Sequence, residues 1–407
     1  MSGAVPGAEH SFFPVESLPY GVFSVGGGDQ RIGVGVSDFV LDAASASQAL
    51  HMRPEQAALL AAPLLNPLMA AGPVAWRSIR QWFTALLSDP ANASVVAPHL
   101  HAREDISLHL PFAVADYVDF YSSEQHASNV GRMLRPGAEP LTPNWKHLPI
   151  GYHGRSGTVV VSGTPVRRPW GQQQALAEVA PRFAPSRRLD VEVEVGFVVG
   201  VGTSLGESVG VGSFAEHVFG LCLLNDWSAR DIQAFEYVPL GPFLAKSFAT
   251  SISPWVVPLA ALEAARCEPP RRDLPLQPYL ADAEPWGLDL RLELECNGTV
   301  VSRPPFAGMY WTAAQQLAHM TVNGASLRTG DLYGSGTVSG PTAGERGSLL
   351  ELSWNGAEPV RLADGSERTF LQDGDVVTIR GTAPGTGGQP IGLGEVSGKI
   401  LPAARRF

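Results

Sequence analysis

The stretch Leu189-Asp190-Val191-Glu192-Val193-Glu194-Val195 decides how the rest of the chain is read. Side chains on a strand alternate between its two faces. The valines therefore take one side, while Glu192 and Glu194 share the other at a separation of about 6 to 7 Å. The run continues into Gly196-Phe197-Val198-Val199, so this is strand core with acids set into it. A second apolar run, Val218 to Leu224, ends in Asn225-Asp226-Trp227 and places another acid at a strand end. Carboxylates crowded near a core repel one another and lose hydration, so they require a cation or strong donors.

Working outward, further strands are expected at Tyr20–Val25, Arg31–Val36, Phe39–Asp42, Thr158–Ser162, Val191–Val199, Leu288–Cys296, Leu349–Trp354, Val376–Arg380 and Gly392–Ile400. Helices are expected from Pro73, where Trp76, Ile79, Trp82, Phe83, Leu86 and Leu87 recur at helical spacing, and over Ser228–Phe235 and Trp311–Met320. Ser228 followed by Asp231 reads as a capping box opening the second of these. The chain holds 44 glycines and 34 prolines in 407 residues, roughly a fifth, without a repeat, which suits a loop-rich, mostly β (α+β) fold. A boundary near His109-Leu110-Pro111 divides a small unit, 1–111, from a large one, 112–407. The small unit reads as a short barrel with appended helices.

Composition excludes several classes. A net charge of −10 offers no basic stripe for nucleic acid. The three cysteines, Cys222, Cys267 and Cys296, match no zinc spacing and suit a reducing compartment. Apolar Ala57–Trp76 is interrupted by Pro63, Pro67 and Pro73, so soluble helices are expected rather than a membrane span. Met1 to Val15 lacks a secretory pattern, and the expected location is cytoplasmic. No nucleophile elbow or phosphate loop occurs, and Gly200, Gly202 and Gly206 miss the dinucleotide spacing.

The candidate chemistry is acidic. Asp119, Glu192, Glu194 and Asp226 form an all-oxygen set that fits Mg²⁺ or Ca²⁺ better than zinc, or else a hydrogen-bonded acidic patch. Lys246, alone in an apolar stretch, is either a snorkelling surface lysine or a cation facing developing negative charge. Arg230 and Gln233, three apart, share a helix face; Arg230 is a salt-bridge partner or an anion holder. Glu351 sits inside an apolar run and wants a partner such as a histidine.

Long strings then carry a resemblance over nearly the whole chain. They are Leu18 to Phe23, Asp116 to Ser123, Pro143 to Arg155, Asn225 to Gln233 and Glu236 to Leu244. In these the chain resembles the fumarylacetoacetate hydrolase family. The resemblance implies a small SH3-like N-terminal barrel, a large mixed β-roll C-terminal domain and a homodimer. The implied activity is hydrolysis of the carbon–carbon bond of 4-fumarylacetoacetate, a small β-diketo acid, at the end of tyrosine and phenylalanine breakdown. Metal ligands would be Asp119, Glu192, Glu194 and Asp226, with Lys246 and Thr250 at a second cation position. His126 matches the general base and Glu351 its orienting carboxylate; Arg230, Gln233 and Lys246 match the groups around the reacting oxygens. Tyr121, Arg135, Tyr152, Gln233, Tyr237 and Thr337 match substrate-binding positions. Glu124 stands where a basic residue is expected. The alternatives are an acylpyruvate hydrolase of the same superfamily and a non-catalytic, metal-stabilised binding protein. The latter would keep His126 and Glu351 too far apart to bond.

Overall fold

A computed structural model describes residues 3–8, 11–174, 179–281 and 284–405. The outer ends of the two expected units, 1–111 and 112–407, lie outside them. The N-terminal strands fall where the alternation put them: β1 (Tyr20–Val25), β2 (Arg31–Val36) and β3 (Phe39–Asp42). Helix α1 (Gly72–Ser88) follows, opened by Pro73, whose missing N–H costs nothing in a first turn. Its Ile79, Phe83 and Leu87 are fully buried, and each contributes about 1.5–3 kcal/mol over leaving it exposed. β4 (Leu100–Ala102) and β5 (Ile106–His109) complete an antiparallel sheet of order β4-β3-β2-β1-β5, a curled sheet consistent with a small barrel. The apolar Ala57–Trp76 stretch is divided among three helices, and no helix of the described residues is long and apolar enough to cross a membrane.

The large sheet gathers β6 (Tyr117–Phe120), β7 (Gly151–His153), β8 (Val159–Val161), β10 (Val193–Val199), β11 (Val218–Asp226), β12 (Thr250–Ile252) and β15 (Leu332–Gly334) in the order β7-β6-β15-β10-β11-β12-β8. A second sheet is built from β9 (Val166–Arg167), β13 (Arg291–Cys296), β14 (Thr299–Ser302), β16 (Val376–Pro384) and β17 (Pro390–Leu401), ordered β14-β13-β16-β17-β9. Between these strands lie α2 (Glu124–Leu134), α3 (Arg230–Glu236), α4 (Ala313–Thr321) and a single turn, α5 (Leu349–Leu352).

Alternation along β10 and β11 assigns their side chains to two cores. Val193, Val195, Phe197, Leu221 and Leu223 join β13, β16 and β17 in one. Val198, Cys222 and Leu224 join the N-terminal unit in the other, together with Tyr117 and Leu332. The acids belong to this second face by parity: Asp119 follows Tyr117, Glu194 precedes Gly196 and Val198, and Asp226 follows Leu224. The site is thus the polar continuation of the surface on which the N-terminal unit packs.

Three expectations fail locally. Leu349–Trp354 is not a strand; it forms α5, because buried Asp190 accepts the N–H groups of Leu349 and Leu350 and Ser348 caps Glu351, which takes the place of a strand partner. The Ser228/Asp231 capping box does not form. Ser228 pairs with Asp190 in a short ladder, and Asp231 accepts from Ser186 and the Arg187 N–H. Leu288 pairs with Arg266 instead of extending β13, which begins at Arg291.

Candidate metal centre and histidine–glutamate pair

Four adjacent strands, β6, β15, β10 and β11, bring the acids together. Asp119 on β6 is opposite Gly334 on β15, which is opposite Gly196 on β10, two residues from Glu194. Asp226 ends β11. Oxygens of Asp119, Glu194 and Asp226 lie within 4.8 Å of one another, and all three residues are buried. Gly334 leaves the space open: a Cβ there would lie 2.7 Å from Glu194 Oε2, 3.3 Å from the Tyr117 hydroxyl and 3.6 Å from Asp119 Oδ1.

The electrostatics are those of carboxyls crowded together out of water. Burial, then the neighbouring Asp226, pushes the Asp119 carboxyl well above its ordinary range. Burial, then Asp119 and Asp226, does the same to Glu194, and burial raises Asp226 despite Lys246. Asp119 Oδ1 and Glu194 Oε1 are buried without a hydrogen-bond partner. Buried carboxylate oxygens are normally satisfied. Hard oxygen donors left bare and converging are what Mg²⁺ or Ca²⁺ require, so these residues fit a divalent ion.

Glu192 stands beside this triad, with both oxygens already engaged. Oε1 pairs with Arg230 Nη2 at 2.5 Å and Oε2 with Lys246 Nζ at 2.5 Å. Burial alone would raise Glu192, but Arg230 and Lys246 outweigh it and hold the carboxyl below its usual range. Lys246 also donates to Asp226 Oδ2 at 2.6 Å and lies 4.0 Å from Asp119, so its ammonium supplies a fixed positive charge at the edge of the triad. An ammonium has no lone pair to offer a cation. Thr250 donates to Asp226 Oδ1 at 2.9 Å. The snorkelling alternative for Lys246 is excluded by its burial.

His126 comes from α2, where the Ser123 hydroxyl caps its N–H at 3.2 Å. Its Nδ1 is 2.6 Å from Glu351 Oε2. Burial would raise Glu351, but the adjoining His126 ring and the hydrogen bonds to the carboxyl keep it below the ordinary range, so it is ionised and accepts. Nδ1 therefore donates to Glu351, and in the neutral ring this tautomer leaves Nε2 as the nitrogen that can accept a proton. Asn129 holds Oε1 at 2.9 Å, while Ser339 and Ser348 hold Oε2 at 2.9 and 3.0 Å.

Among the remaining expected residues, Tyr121 packs edge-on to His126 with ring centres 5.4 Å apart. Tyr152 is opposite Asp119 in the β6–β7 ladder, and its buried hydroxyl lies against that carboxylate without a well-aligned hydrogen bond. The Thr337 hydroxyl is likewise buried and bare, one residue beyond Gly336, whose N–H donates to Glu194 at 3.1 Å. Gln233 Oε1 accepts from Arg230 Nη1 at 3.0 Å, which leaves its amide NH₂ as the donor end. Arg135 ends α2 and is bonded to the Pro140 carbonyl, close enough to act on Tyr121. Tyr237 is half-buried at the end of α3 and makes no hydrogen bond to the cluster. Glu124 is paired with Lys146 at 2.9 Å, which also binds Asp273.

Sequence reasoning missed Tyr117, Asn129 and Asp190. Tyr117, with a bare buried hydroxyl beside the acids, shares strand parity with Asp119, and that was the available signal. Asn129 lies three residues from His126 on one helix face.

Fold and site together define a β-rich enzyme in which buried acids converge beside an oriented histidine. Residues 16–111 match the family described as fumarylacetoacetase N-terminal, and residues 116–400 the family described as fumarylacetoacetate (FAA) hydrolase C-terminal. The chain belongs to the fumarylacetoacetate hydrolase family. Its relatives include the fumarylacetoacetases of Homo sapiens, 45% identical with 98% of each chain covered, and Arabidopsis thaliana, 44% identical with 97% of this chain and 96% of the relative covered. Among solved structures, a fumarylacetoacetate hydrolase from Exiguobacterium antarcticum shares the fold at a TM-score of 0.55 and 16% identity, covering 95% of this chain and 100% of that one. A maleylpyruvate hydrolase from Sphingobium sp. SYK-6, in complex with manganese(II) and pyruvate, does so at a TM-score of 0.52 and 14% identity, with the same coverage.

Proposed function

We propose that this enzyme hydrolyses the carbon–carbon bond of 4-fumarylacetoacetate to fumarate and acetoacetate, the last step of tyrosine and phenylalanine breakdown. The observation that carries the reading is the 2.6 Å bond from His126 to Glu351 beside three converging acids, two of which keep a bare oxygen. A binding protein has no use for an oriented base, and the non-catalytic alternative required these two residues to stand apart. Relatives matched over nearly their full length favour fumarylacetoacetate over an acylpyruvate.

In this mechanism Nε2 of His126 takes a proton from water, and the resulting hydroxide adds to the carbonyl next to the fumaryl group. The imidazolium that forms is stabilised by Glu351. Arg230, Gln233 and Lys246 donate to the oxyanion and then to the departing enolate, in a pocket where such donors need no reorganisation. His126 returns the proton to the enolate carbon, which completes acetoacetate. Asp119, Glu194 and Asp226 would hold Mg²⁺ or Ca²⁺, with Glu192 at their side; when bound, the ion supplies Lewis acidity at the substrate's keto oxygens. Arg135 would pair with a substrate carboxylate, and Tyr121, Tyr152, Tyr237 and Thr337 would shape the rest of the site. A homodimer and a cytoplasmic setting belong to the same proposal.

The test is loss of the diketone absorbance of fumarylacetoacetate with and without chelator. Turnover is expected with Mg²⁺ or Ca²⁺ and should vanish on exhaustive chelation; an enzyme that leaves the diketone intact in every metal sinks the proposal. His126→Ala is expected to lower turnover by about a hundredfold or more.

A further inference from the structure

The mechanism does not use Asp190, although it is among the most tightly held groups in the chain. It is fully buried, and its two oxygens accept four donors. Oδ1 takes the N–H groups of Val191 at 2.9 Å and Leu349 at 2.8 Å; Oδ2 takes Leu350 N–H at 3.1 Å and Arg230 Nε at 2.8 Å. The two backbone donors belong to α5, the turn that carries Glu351. One carboxylate therefore touches both the guanidinium proposed to face the oxyanion and the turn that supports the proposed base. Beyond Arg230 the charges alternate without a break through Glu192, Lys246 and Asp226.

We propose that Asp190 is a positioning residue that fixes Arg230 and the Glu351 turn to one another, and so sets the distance between oxyanion donor and base. This rests on the hydrolase reading above. A group attached to only one arm would leave the other free to drift, and displacement of about 1 Å costs on the order of a hundredfold in rate. A turn of four residues has little stability of its own. Its placement depends on the cap from Ser348, on Arg346, which donates to the Glu351 carbonyl at 2.9 Å, and on the Asp190 carboxylate, which accepts both the Leu349 and the Leu350 amide.

The test has two variants and two readouts. Asp190→Asn keeps the shape but presents an NH₂ to one pair of donors. Arg230→Lys leaves Asp190 in place but removes the fork that joins it to Glu192 and Gln233, and it serves as the probe should Asp190→Asn fail to fold. In Mg²⁺-loaded, ¹⁵N-histidine-labelled protein, both are expected to shift the Nδ1–H proton resonance of His126, even though no hydrogen bond joins Asp190 or Arg230 to that ring. Asp190→Asn should also lower kcat by about ten- to a hundredfold with a smaller change in KM. An unchanged His126 resonance in a folded variant overturns the coupling, whatever the rate does. The resonance needs no substrate. A wild-type enzyme that leaves fumarylacetoacetate intact would therefore defeat the hydrolase reading separately.

Discussion

Two buried carboxylate sites in the same chain have opposite characters. At the foot of β16, Asp375 accepts from Arg368 Nε and Nη2, Asn297 Nδ2 at 2.8 Å and the Gln372 N–H at 2.7 Å. Burial would raise its carboxyl, but Arg368 and these donors hold it below the ordinary range. At the Asp119, Glu194 and Asp226 cluster burial and mutual repulsion win, the carboxyls are raised, and two oxygens stay bare. Burial alone therefore does not mark a functional acid. A shortage of donors marks acids poised for a cation, because a carboxylate left short of donors is destabilising until something outside the chain completes it.

Breaking each site in turn should give effects of different kind and decreasing size. Glu194→Gln is expected to reduce turnover by more than about a hundredfold. In chelator it should melt above the wild type, since it removes one of three repelling charges, and it should lose most of the stabilisation that added Mg²⁺ or Ca²⁺ gives. Thermal melts with and without metal read this, and a Glu194→Gln protein less stable than wild type in chelator would contradict the repulsion. Gly334→Ala introduces a Cβ 2.7 Å from Glu194 Oε2 and is expected to weaken metal affinity by about tenfold or more, as measured by calorimetric titration; undiminished affinity would show the cradle to be looser than described.

Asp375→Asn should leave turnover unchanged and cost about 1–3 kcal/mol of stability at neutral pH, because buried donors lose their acceptor. The sign of its pH dependence follows from the lowered carboxyl. Its contribution is complete above the ordinary carboxylate pKa and is lost as pH falls through the lower folded value. The gap in denaturant midpoint between wild type and variant should accordingly close only on strong acidification; a gap that widens there would reverse the assignment. The smallest effect is expected from Glu124→Gln, a half-exposed partner of Lys146: within about 0.5 kcal/mol in stability. A large change in the pH–rate profile would instead make Glu124 an influence on the site.

The opening stretch made Glu192 and Glu194 legible together, since period-two alternation needs no knowledge of partners. It could not separate them. Glu194 lies in the ladder proper, whereas Glu192 precedes it and makes an isolated bridge to Ser348, within reach of Arg230 and Lys246. Glu351 was found as an acid in want of a partner, yet its segment was read as strand, because an apolar run of that length carries no period to distinguish the two. Asp190 escaped notice although it sits in the same alternating stretch, since its partners Arg230, Leu349 and Leu350 are tens to more than a hundred residues away.

By itself the sequence determined the strands and helices with a clear period, the two-faced character of the central strands and the presence of acids where a core should be. These follow from local backbone geometry and from the cost of burying charge. Tertiary structure alone decided which oxygens are satisfied and which are bare, and which acid meets a cation instead of another acid. Hydrogen bonds and Coulomb energies depend on distances of a few ångströms between groups remote in the chain, and only the packing of β6, β10, β11 and β15 sets those distances.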